Sequence, residues 1–203
     1  MEVKIKILKR KDFGKCIDFA IEGMHFNRYV DSKLALRLYG RYFLYLELER
    51  ATQVLAAYKG DRLIGILMAD VKGEAKQYSS FWRRIYVGVF KLMMKIVTPN
   101  GSDTYDEANK VMLNEYLENA TPDGEICFLT TDPKMQGKGI GSLLLEELGR
   151  REKGKQIYLY TDDNCTYQFY EHKGFERLKE KEIKMEIGGK NVPLTCLLYS
   201  KQL

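Results

Sequence analysis

The chain has 203 residues, of which 45% are hydrophobic and 30% charged, and this balance excludes a disordered or fibrous chain. Residues 1–203 are predicted to form a single soluble domain with a hydrophobic core. The formal net charge of +5 comes from basic residues mixed with acidic ones, without a basic tract, so nucleic acid is not an expected partner.

Nothing in the sequence indicates export, a membrane span or a metal site. The longest apolar stretch, Phe81–Val97, contains basic residues and is too short to cross a bilayer. The cysteines lie far apart without a CxxC pair, as is typical of a reducing compartment, and no His, Cys and Asp spacing resembles a metal site. We therefore expect a cytoplasmic protein, monomeric or homodimeric, with neither membrane nor metal as a partner.

The first part of the chain predicts a strand, two helices and a β-hairpin. VKIKIL alternates like a strand, and apolar residues then recur at helical spacing in residues 11–29 and 32–51. Two strand-like runs flank Lys59, Gly60 and Asp61, a composition that suits a tight turn. Residues 74–122 are mostly helical in pattern and broken near TPNGSD, where Ser102 or Asp103 is the expected cap of a second helix.

From Gly124 onwards strands and helices alternate. The strand EICFLTT, the helix SLLLEELGRREKG and the strand QIYLYT predict a βαβ unit. A further helix, CTYQFYEHK, ends at Gly174, and two strands are predicted on either side of Gly188 and Gly189.

Three alternate glycines, Gly137, Gly139 and Gly141, stand between the strand and the helix of this unit. Glycine reaches positive φ cheaply, and free N–H groups at a helix N-terminus bind phosphate, whereas a plain capping turn needs only one glycine. GxxxxGK[ST] is absent, and the dinucleotide motif GxGxxG fails because the glycines run G-x-G-x-G. Asp162 and Asp163, about 20 residues further on, keep dinucleotide binding open as a weaker alternative.

The run QGKGIG, residues 136–141, resembles the acetyl-CoA signature Q/R-x-x-G-x-G/A of the GNAT N-acetyltransferase superfamily. Asn164 and the segment FYEHKGF, which contains Tyr170, are similar to a second motif of that family at the right separation. The resemblance is close over residues 125–175 and rests on element order elsewhere. It implies an α/β (α+β) fold with a central, mixed, mostly antiparallel sheet of six or seven strands, helices on both faces, and a helical insertion at about residues 74–122 before the fourth strand.

The resemblance also implies that acetyl-CoA is the co-substrate and that a primary amine is the acceptor. The family pairs the pantetheine arm with a strand backbone and holds the pyrophosphate at the glycine turn. Asn164 has the alternative role of a helix N-cap. The residues that the family pattern assigns to acetyl-CoA are Leu129, Thr130, Thr131, Gln136, Gly137, Lys138, Gly139, Ile140, Gly141, Ser142 and Asn164.

Two catalytic residues follow from the same resemblance. Tyr170 matches the acid that protonates the departing thiolate, with Tyr167 as the fallback and core packing as the alternative. Glu125 matches the general base of some members, and strand alternation would place it on one face with Cys127 and Leu129. Its alternative is a solvated glutamate at a strand end.

The protein is therefore expected to be an acetyltransferase, with a CoA-binding regulatory module without turnover as the alternative. A polyamine, an aminoglycoside-like amine, an amino acid and a protein N-terminus remain open as acceptors. The segment at residues 78–97 has three interpretations: a helix packed on the core, a wall or lid for the acceptor, and a membrane-surface helix. As a helix it separates Arg84, Lys91 and Lys95 from an apolar face formed by Phe81, Trp82, Ile85, Val89, Leu92 and Ile96.

Overall fold

The structure, a computed structural model, describes residues 2–28, 32–97, 103–187 and 190–203. The strands are β1 (Val3–Lys6), β2 (Gln53–Lys59), β3 (Arg62–Val71), β4 (Gly124–Thr131), β5 (Gln156–Asp162), β6 (Glu176–Ile187) and β7 (Lys190–Gln202). The α-helices are α1 (Phe13–Gly23), α2 (Lys33–Arg50), α3 (Phe81–Val97), α4 (Asp103–Leu117), α5 (Ile140–Arg151) and α6 (Gln168–His172). The expected cap at Ser102 and the turn at Gly188 and Gly189 lie outside the described residues.

All seven strands belong to one sheet, in the order β1-β2-β3-β4-β5-β7-β6. Each neighbouring pair is antiparallel except β4 and β5, which are parallel and joined through α5. The helices α3 and α4 lie between β3 and β4 along the chain. This confirms the predicted fold class, a mixed and mostly antiparallel sheet with a helical insertion before the fourth strand.

Helices cover both faces of the sheet. Residues of α1 and α2 such as Phe19 and Leu44 form one buried cluster with β2 and β3. Along β5, Ile157 packs in the cluster of α5 and Tyr158 in the cluster of α4, so these two helices lie on opposite faces. Strands in the middle of such a sheet are apolar on both sides. Residues 63–69 of β3 are accordingly buried without interruption.

A β-bulge interrupts the side-chain alternation of β4. Met68 on β3 faces Phe128, but the next residue, Ala69, faces Ile126, so Cys127 is the extra residue on β4. A bulge turns two successive side chains towards the same face. Cys127 and Phe128 both pack in the cluster of α1 and α2, whereas Leu129 packs in the cluster of α5. The prediction that Leu129 shares a face with Glu125 and Cys127 is therefore wrong.

Gly124 lets the first residue of β4 approach β3 closely, and this contact generates a stability prediction. A Cβ atom at Gly124 would lie 2.5 Å from the backbone oxygen of Asp70. We expect Gly124→Ala to lower the free energy of unfolding by about 1–3 kcal/mol, because two backbones must move apart. Urea denaturation monitored by circular dichroism measures the change.

Gly149→Ala on α5 is the matched control, because a Cβ there meets no atom within 4 Å. Alanine favours a helix interior over glycine by about 0.5–1 kcal/mol, so this variant should be at least as stable as the parent. A Gly124→Ala protein as stable as the Gly149→Ala protein would contradict the close approach.

Candidate active site

The parallel strands β4 and β5 pair at two positions and then separate. The described pairs are Gly124 with Ile157 and Glu125 with Tyr158. β4 continues to pair with β3 as far as Thr131, while β5 continues to pair with β7 as far as Asp162. Among the described strands, none lies beside β4 at residues 126–131 on the β5 side. Backbone N–H and C=O groups on such an edge require other partners, which an extended polar ligand can supply.

The predicted glycine turn follows β4 directly, after the short 3-10 helix Pro133–Met135. Gly137 and Gly139 have φ angles of 74° and 75°, and a Cβ at either would meet no atom within 4 Å. These two glycines are thus explained by the left-handed backbone, which costs other residues about 1–2 kcal/mol. Gly141 has a different explanation, because its Cβ would lie 3.0 Å from the Phe169 ring. The third glycine lets α6 pack against the start of α5.

The N-terminus of α5 is a group of unused donors. Gly139 is its N-cap and has no side chain to accept a hydrogen bond. The first helical bond runs from the Leu143 N–H to the Gly139 carbonyl at 3.0 Å. Within the described ranges, no acceptor takes the N–H groups of Ile140, Gly141 or Ser142. Such a turn attracts anions through its free N–H groups and through the helix dipole.

Asp132 anchors the connection between β4 and the glycine turn. Its buried carboxylate accepts hydrogen bonds from the Lys134 backbone N–H at 3.0 Å and from the Arg62 guanidinium, and the Lys15 amine lies 3.8 Å away. Burial is the largest single influence and raises the pKa of Asp132, but the hydrogen bonds from Arg62 and the Lys134 N–H, together with the charges of Arg62 and Lys15, outweigh it and hold the pKa below its ordinary value. Sequence analysis missed this residue, although aspartate before proline is a usual helix start.

Tyr170 is partly buried among aromatic rings. The ring centroids of Phe169, Phe175 and Tyr199 lie 5.4, 5.8 and 6.4 Å from its own. Its hydroxyl has no hydrogen-bond partner within the part of the chain that the structure describes. Burial raises the pKa of the Tyr170 phenol, and Cys165 adds to the rise, so the phenol keeps its proton at neutral pH. The ring of Tyr170 thus packs in the core, while its hydroxyl has no described hydrogen-bond partner.

The helix that contains Tyr170 is shorter than predicted, and this corrects the alternative role of Asn164. α6 begins at Gln168 with Tyr167 as its N-cap, so Asn164 is not a helix cap. Instead, its backbone N–H donates to the Asp162 carboxylate at 3.0 Å, which forms a turn at the end of β5. Turns closed by an aspartate side chain compete with helix formation. Asp162 therefore has a structural role in closing this turn.

Glu125 lies in a network of charged groups. Its two oxygens accept hydrogen bonds from the Arg50 guanidinium at 2.7 and 3.1 Å, and the Tyr158 hydroxyl donates to it at 3.3 Å. Arg50 also donates to Glu47 at 2.7 Å. The Glu125 side chain is only 13% exposed, so the interpretation as a solvated strand end is wrong. Burial raises the pKa of Glu47, against the opposing effect of Arg50.

The structure brings some predicted residues together and separates others. The β4 edge with Leu129, Thr130 and Thr131 leads directly into the glycine turn. Tyr170 packs in the cluster of α5, whereas Glu125 contacts α2 on the other face of the sheet. The two candidate catalytic residues therefore lie on opposite faces. Arg50 and Glu47 were not identified from the sequence, because their contact with Glu125 joins distant segments.

In the ranges that the structure describes, no group of three or more His, Cys, Asp and Glu side chains is arranged to hold a metal ion. None of the helices described is both long and apolar enough to cross a membrane.

Comparisons with known proteins agree with this geometry. The family model of the acetyltransferase (GNAT) domain matches residues 105–177. No protein of curated function matches the sequence. PH1933 from Pyrococcus horikoshii OT3 is 20% identical, with complete coverage of both chains (100% and 100%) and a TM-score of 0.57.

Two other solved structures are similar over their whole length. The PaiA N-acetyltransferase of Thermoplasma acidophilum, in complex with coenzyme A, is 16% identical, with 100% of each chain covered and a TM-score of 0.55. Naa50 of Arabidopsis thaliana, in complex with the bisubstrate analogue CoA-Ac-MVNAL, is 16% identical, with 100% of each chain covered and a TM-score of 0.51.

The mixed sheet, the separated parallel strands and the glycine turn define the class of acetyltransferase folds. The match of the family model to residues 105–177 contains both motifs, at residues 136–141 and 164–175, so the resemblance to GNAT acetyltransferases that these motifs predicted is confirmed over that part of the chain.

Proposed function

We propose that the protein transfers the acetyl group of acetyl-CoA directly to a primary amine. The observation that carries this proposal is the gap between β4 and β5, which begins beside Glu125 and leads to the uncapped start of α5. Coenzyme A in the PaiA structure supports acetyl-CoA as the donor. The acceptor-peptide portion of the analogue bound to Naa50 supports an amine as the acceptor.

The chain offers two kinds of contact to acetyl-CoA. The free edge of β4 would pair with the amides of the pantetheine arm through the backbone of Leu129, Thr130 and Thr131, and Asn164 would bond the same arm. The uncapped turn fits a pyrophosphate, since its donors are free and the space around Gly137 and Gly139 is open. The residues that would form this turn around the pyrophosphate are Gln136, Gly137, Lys138, Gly139, Ile140, Gly141 and Ser142.

Acetyl transfer requires an acid for the leaving group. The amine nitrogen attacks the thioester carbon, the C–S bond breaks, and the sulfur leaves as a thiolate that must gain a proton. Tyr170 is the proposed donor, because its phenol is protonated and its hydroxyl is not engaged by another described residue. Its position beside Phe169, which packs on Gly141, brings it to the start of α5.

The reaction also requires a base for the acceptor. An amine with an ordinary pKa near 10 is almost wholly protonated at neutral pH and cannot attack. Glu125 is the proposed base, and Arg50 holds its carboxylate in one orientation. A carboxylate has about four acceptor positions, so a proton would be received on a position that Arg50 does not use, directly or through water.

A CoA-binding regulatory module without turnover is the second candidate. The specific observation in its favour is that both oxygens of Glu125 already accept hydrogen bonds from Arg50. Dinucleotide binding is disfavoured, because its fold uses a mostly parallel sheet, whereas in the part of the chain that the structure describes β4 and β5 are the one parallel pair.

Release of free thiol from acetyl-CoA tests the proposed function. The panel of acceptors should contain a polyamine, an aminoglycoside, free amino acids and a short peptide with a free N-terminus. We expect thiol release above the rate of hydrolysis with at least one class of amine, together with the acetylated product by mass spectrometry. Tight binding of acetyl-CoA without thiol release for any amine would instead support the regulatory module.

Replacement of Tyr170 by Phe tests the acid. Tyr170→Phe should lower kcat by about 10²-fold and leave KM for acetyl-CoA nearly unchanged, because the ring packing stays and only the proton donor is lost. Tyr167→Phe is the control, since Tyr167 precedes α6 and its ring lies 5.3 Å from the Arg177 guanidinium. Steady-state kinetics measures both. Equal kcat values for Tyr170→Phe and the parent would restrict Tyr170 to packing.

A negative charge in the glycine turn should abolish most of the affinity for acetyl-CoA. Gly139→Asp would place a carboxylate beside the pyrophosphate, and we expect calorimetry to show at least about tenfold weaker binding. Gly73→Asp is the matched control, because Gly73 also has a positive φ of 81° and open space around its Cβ. It carries the same backbone strain outside the site. Equal affinities for the two variants would remove the anion-binding role.

The pH dependence of Glu125→Gln separates a base from an ion pair. If Glu125 accepts the proton, the loss of kcat/KM should reach about 10²-fold at low pH, where few acceptor amines are neutral, and should shrink as pH rises. A loss of the same size at every pH would show that Glu125 acts through its contact with Arg50. Glu147→Gln, which breaks an ion pair with Arg150 and Arg151 on α5, is the control.

A further inference from the structure

The helix α3 packs on α2 through one side only. The Arg83 guanidinium bonds Glu49 at 2.9 Å, and the Phe90 ring stacks on Tyr42 at a centroid distance of 4.6 Å. The Tyr86 hydroxyl donates to the Leu38 carbonyl at 3.3 Å. These residues are three and four positions apart and form one face of the helix. The sequence interpretation of a helix packed on the core by its apolar side is therefore wrong in its choice of face: α3 packs through Arg83, Tyr86 and Phe90 and not through the apolar face named from the sequence.

A second face of α3 is apolar and exposed. Phe81 is 62% exposed, Trp82 76%, Ile85 42%, Val89 64% and Leu92 64%. At about 100° per residue these side chains form one continuous strip, which we call the outer strip. The side chain of Ile96, which the sequence places on the same strip, lies outside the described part of the chain. A continuous apolar patch of this kind on a soluble domain marks an interaction surface.

The outer strip does not line the candidate active site. α2 is the main packing partner of α3 and lies between it and the sheet, since another side of α2 packs Leu44 and Leu48 in the core cluster with β2 and β3. Side chains that turn away from α2 therefore turn away from Glu125 as well. Side chains that form the wall of a substrate pocket lie in a concave, sheltered site, whereas Trp82 and Leu92 are highly exposed. This argues against the wall or lid for the residues of the outer strip.

A third face of α3 is basic. Arg84, Lys91 and Lys95 are exposed, and on a helical projection they lie next to the outer strip. No carboxylate pairs with any of the three among the residues that the structure describes. The sequence of α3 contains no acidic residue. A helix with an apolar strip beside a basic one is complementary to a surface whose negatively charged outer layer covers an apolar interior.

We propose that α3 docks the protein on an anionic lipid membrane. The outer strip enters the boundary between headgroups and acyl chains, and Arg84, Lys91 and Lys95 lie at the lipid phosphates. Charge complementarity selects this occupant over a second copy of the chain, because pairing two copies of α3 would bring basic faces together without a carboxylate between them. The helix lies on the membrane and does not cross it. The expectation that no membrane is a partner is thereby revised.

Trp82 makes the proposal directly measurable, because it is the only tryptophan in the chain and lies in the outer strip. The full-length protein is mixed with vesicles of phosphatidylglycerol and phosphatidylcholine in equal parts, and separately with vesicles of phosphatidylcholine alone. With the anionic vesicles, we expect the protein to sediment with the lipid at low salt and the Trp82 emission to shift to shorter wavelength. Both effects should weaken as salt is added.

Double substitutions on each face of α3 test whether the outer strip and the basic face bind the vesicles. Val89→Ser with Leu92→Ser, and separately Lys91→Glu with Lys95→Glu, should each reduce the bound fraction at least about tenfold at limiting lipid. Val111→Ser with Lys110→Glu is the control, because both residues are exposed on α4. It should bind as the parent does. All these positions are on the surface, so circular dichroism should show folded proteins.

Three results would overturn the proposal. The first is a protein that stays in the supernatant with anionic vesicles while the Trp82 emission is unchanged. The second is a Trp82 shift that depends on protein concentration without lipid, together with a dimer in sedimentation velocity, which would assign the outer strip to a second copy. The third is equal binding by the control and by the α3 variants. Thiol release with a soluble amine is measured separately, so failure of the proposed activity leaves the vesicle result interpretable.

Discussion

The separation of β4 from β5 is the constraint on which the rest of the site depends. β4 pairs with β3 along its whole length apart from the bulge at Cys127, but its described pairs with β5 are limited to Gly124 and Glu125. Backbone groups cannot remain without partners inside a protein, so a strand edge in the middle of a sheet requires a ligand or water. An open edge inside the sheet that runs into an uncapped helix start is therefore suited to an extended, phosphate-bearing ligand.

The structure holds this edge open from both faces. On one face, Arg50 of α2 bonds Glu125 at the last position where β4 and β5 are paired. The pair is partly buried and bidentate, so this network links α2 to β4 at the point of divergence. On the other face, Phe169 packs against Gly141, and the Cβ of Gly65 would lie 2.8 Å from Ile140, so α5 contacts both α6 and β3 closely. The start of α5 is positioned by these contacts.

The two helices of the insertion have different roles. α4 buries Ala108 and Met112 against β6 and β7 and so completes the core on that face. α3 lies outside α2 and exposes an apolar strip, which the core does not need. An insertion that only closed the sheet would bury its apolar side chains. Packing on α2 explains one face of α3 but not the outer strip, for which the proposed membrane contact would account.

The sequence by itself determined the order and type of the elements, the glycine turn and the resemblance of residues 105–177 to the GNAT domain. These are local properties: hydrophobic periodicity, turn residues and short motifs act over a few residues, and Gly137 and Gly139 have the positive φ angles that their pattern predicts. Only the tertiary structure decided the bulge at Cys127, the shortened α6, the pairing of Arg50 with Glu125 and the outward orientation of α3. Each of these depends on contacts between segments far apart along the chain, such as Arg50 and Glu125, which are 75 positions apart. A helical pattern shows that a helix has an apolar face, but whether a neighbouring segment covers that face is decided by how the whole chain packs.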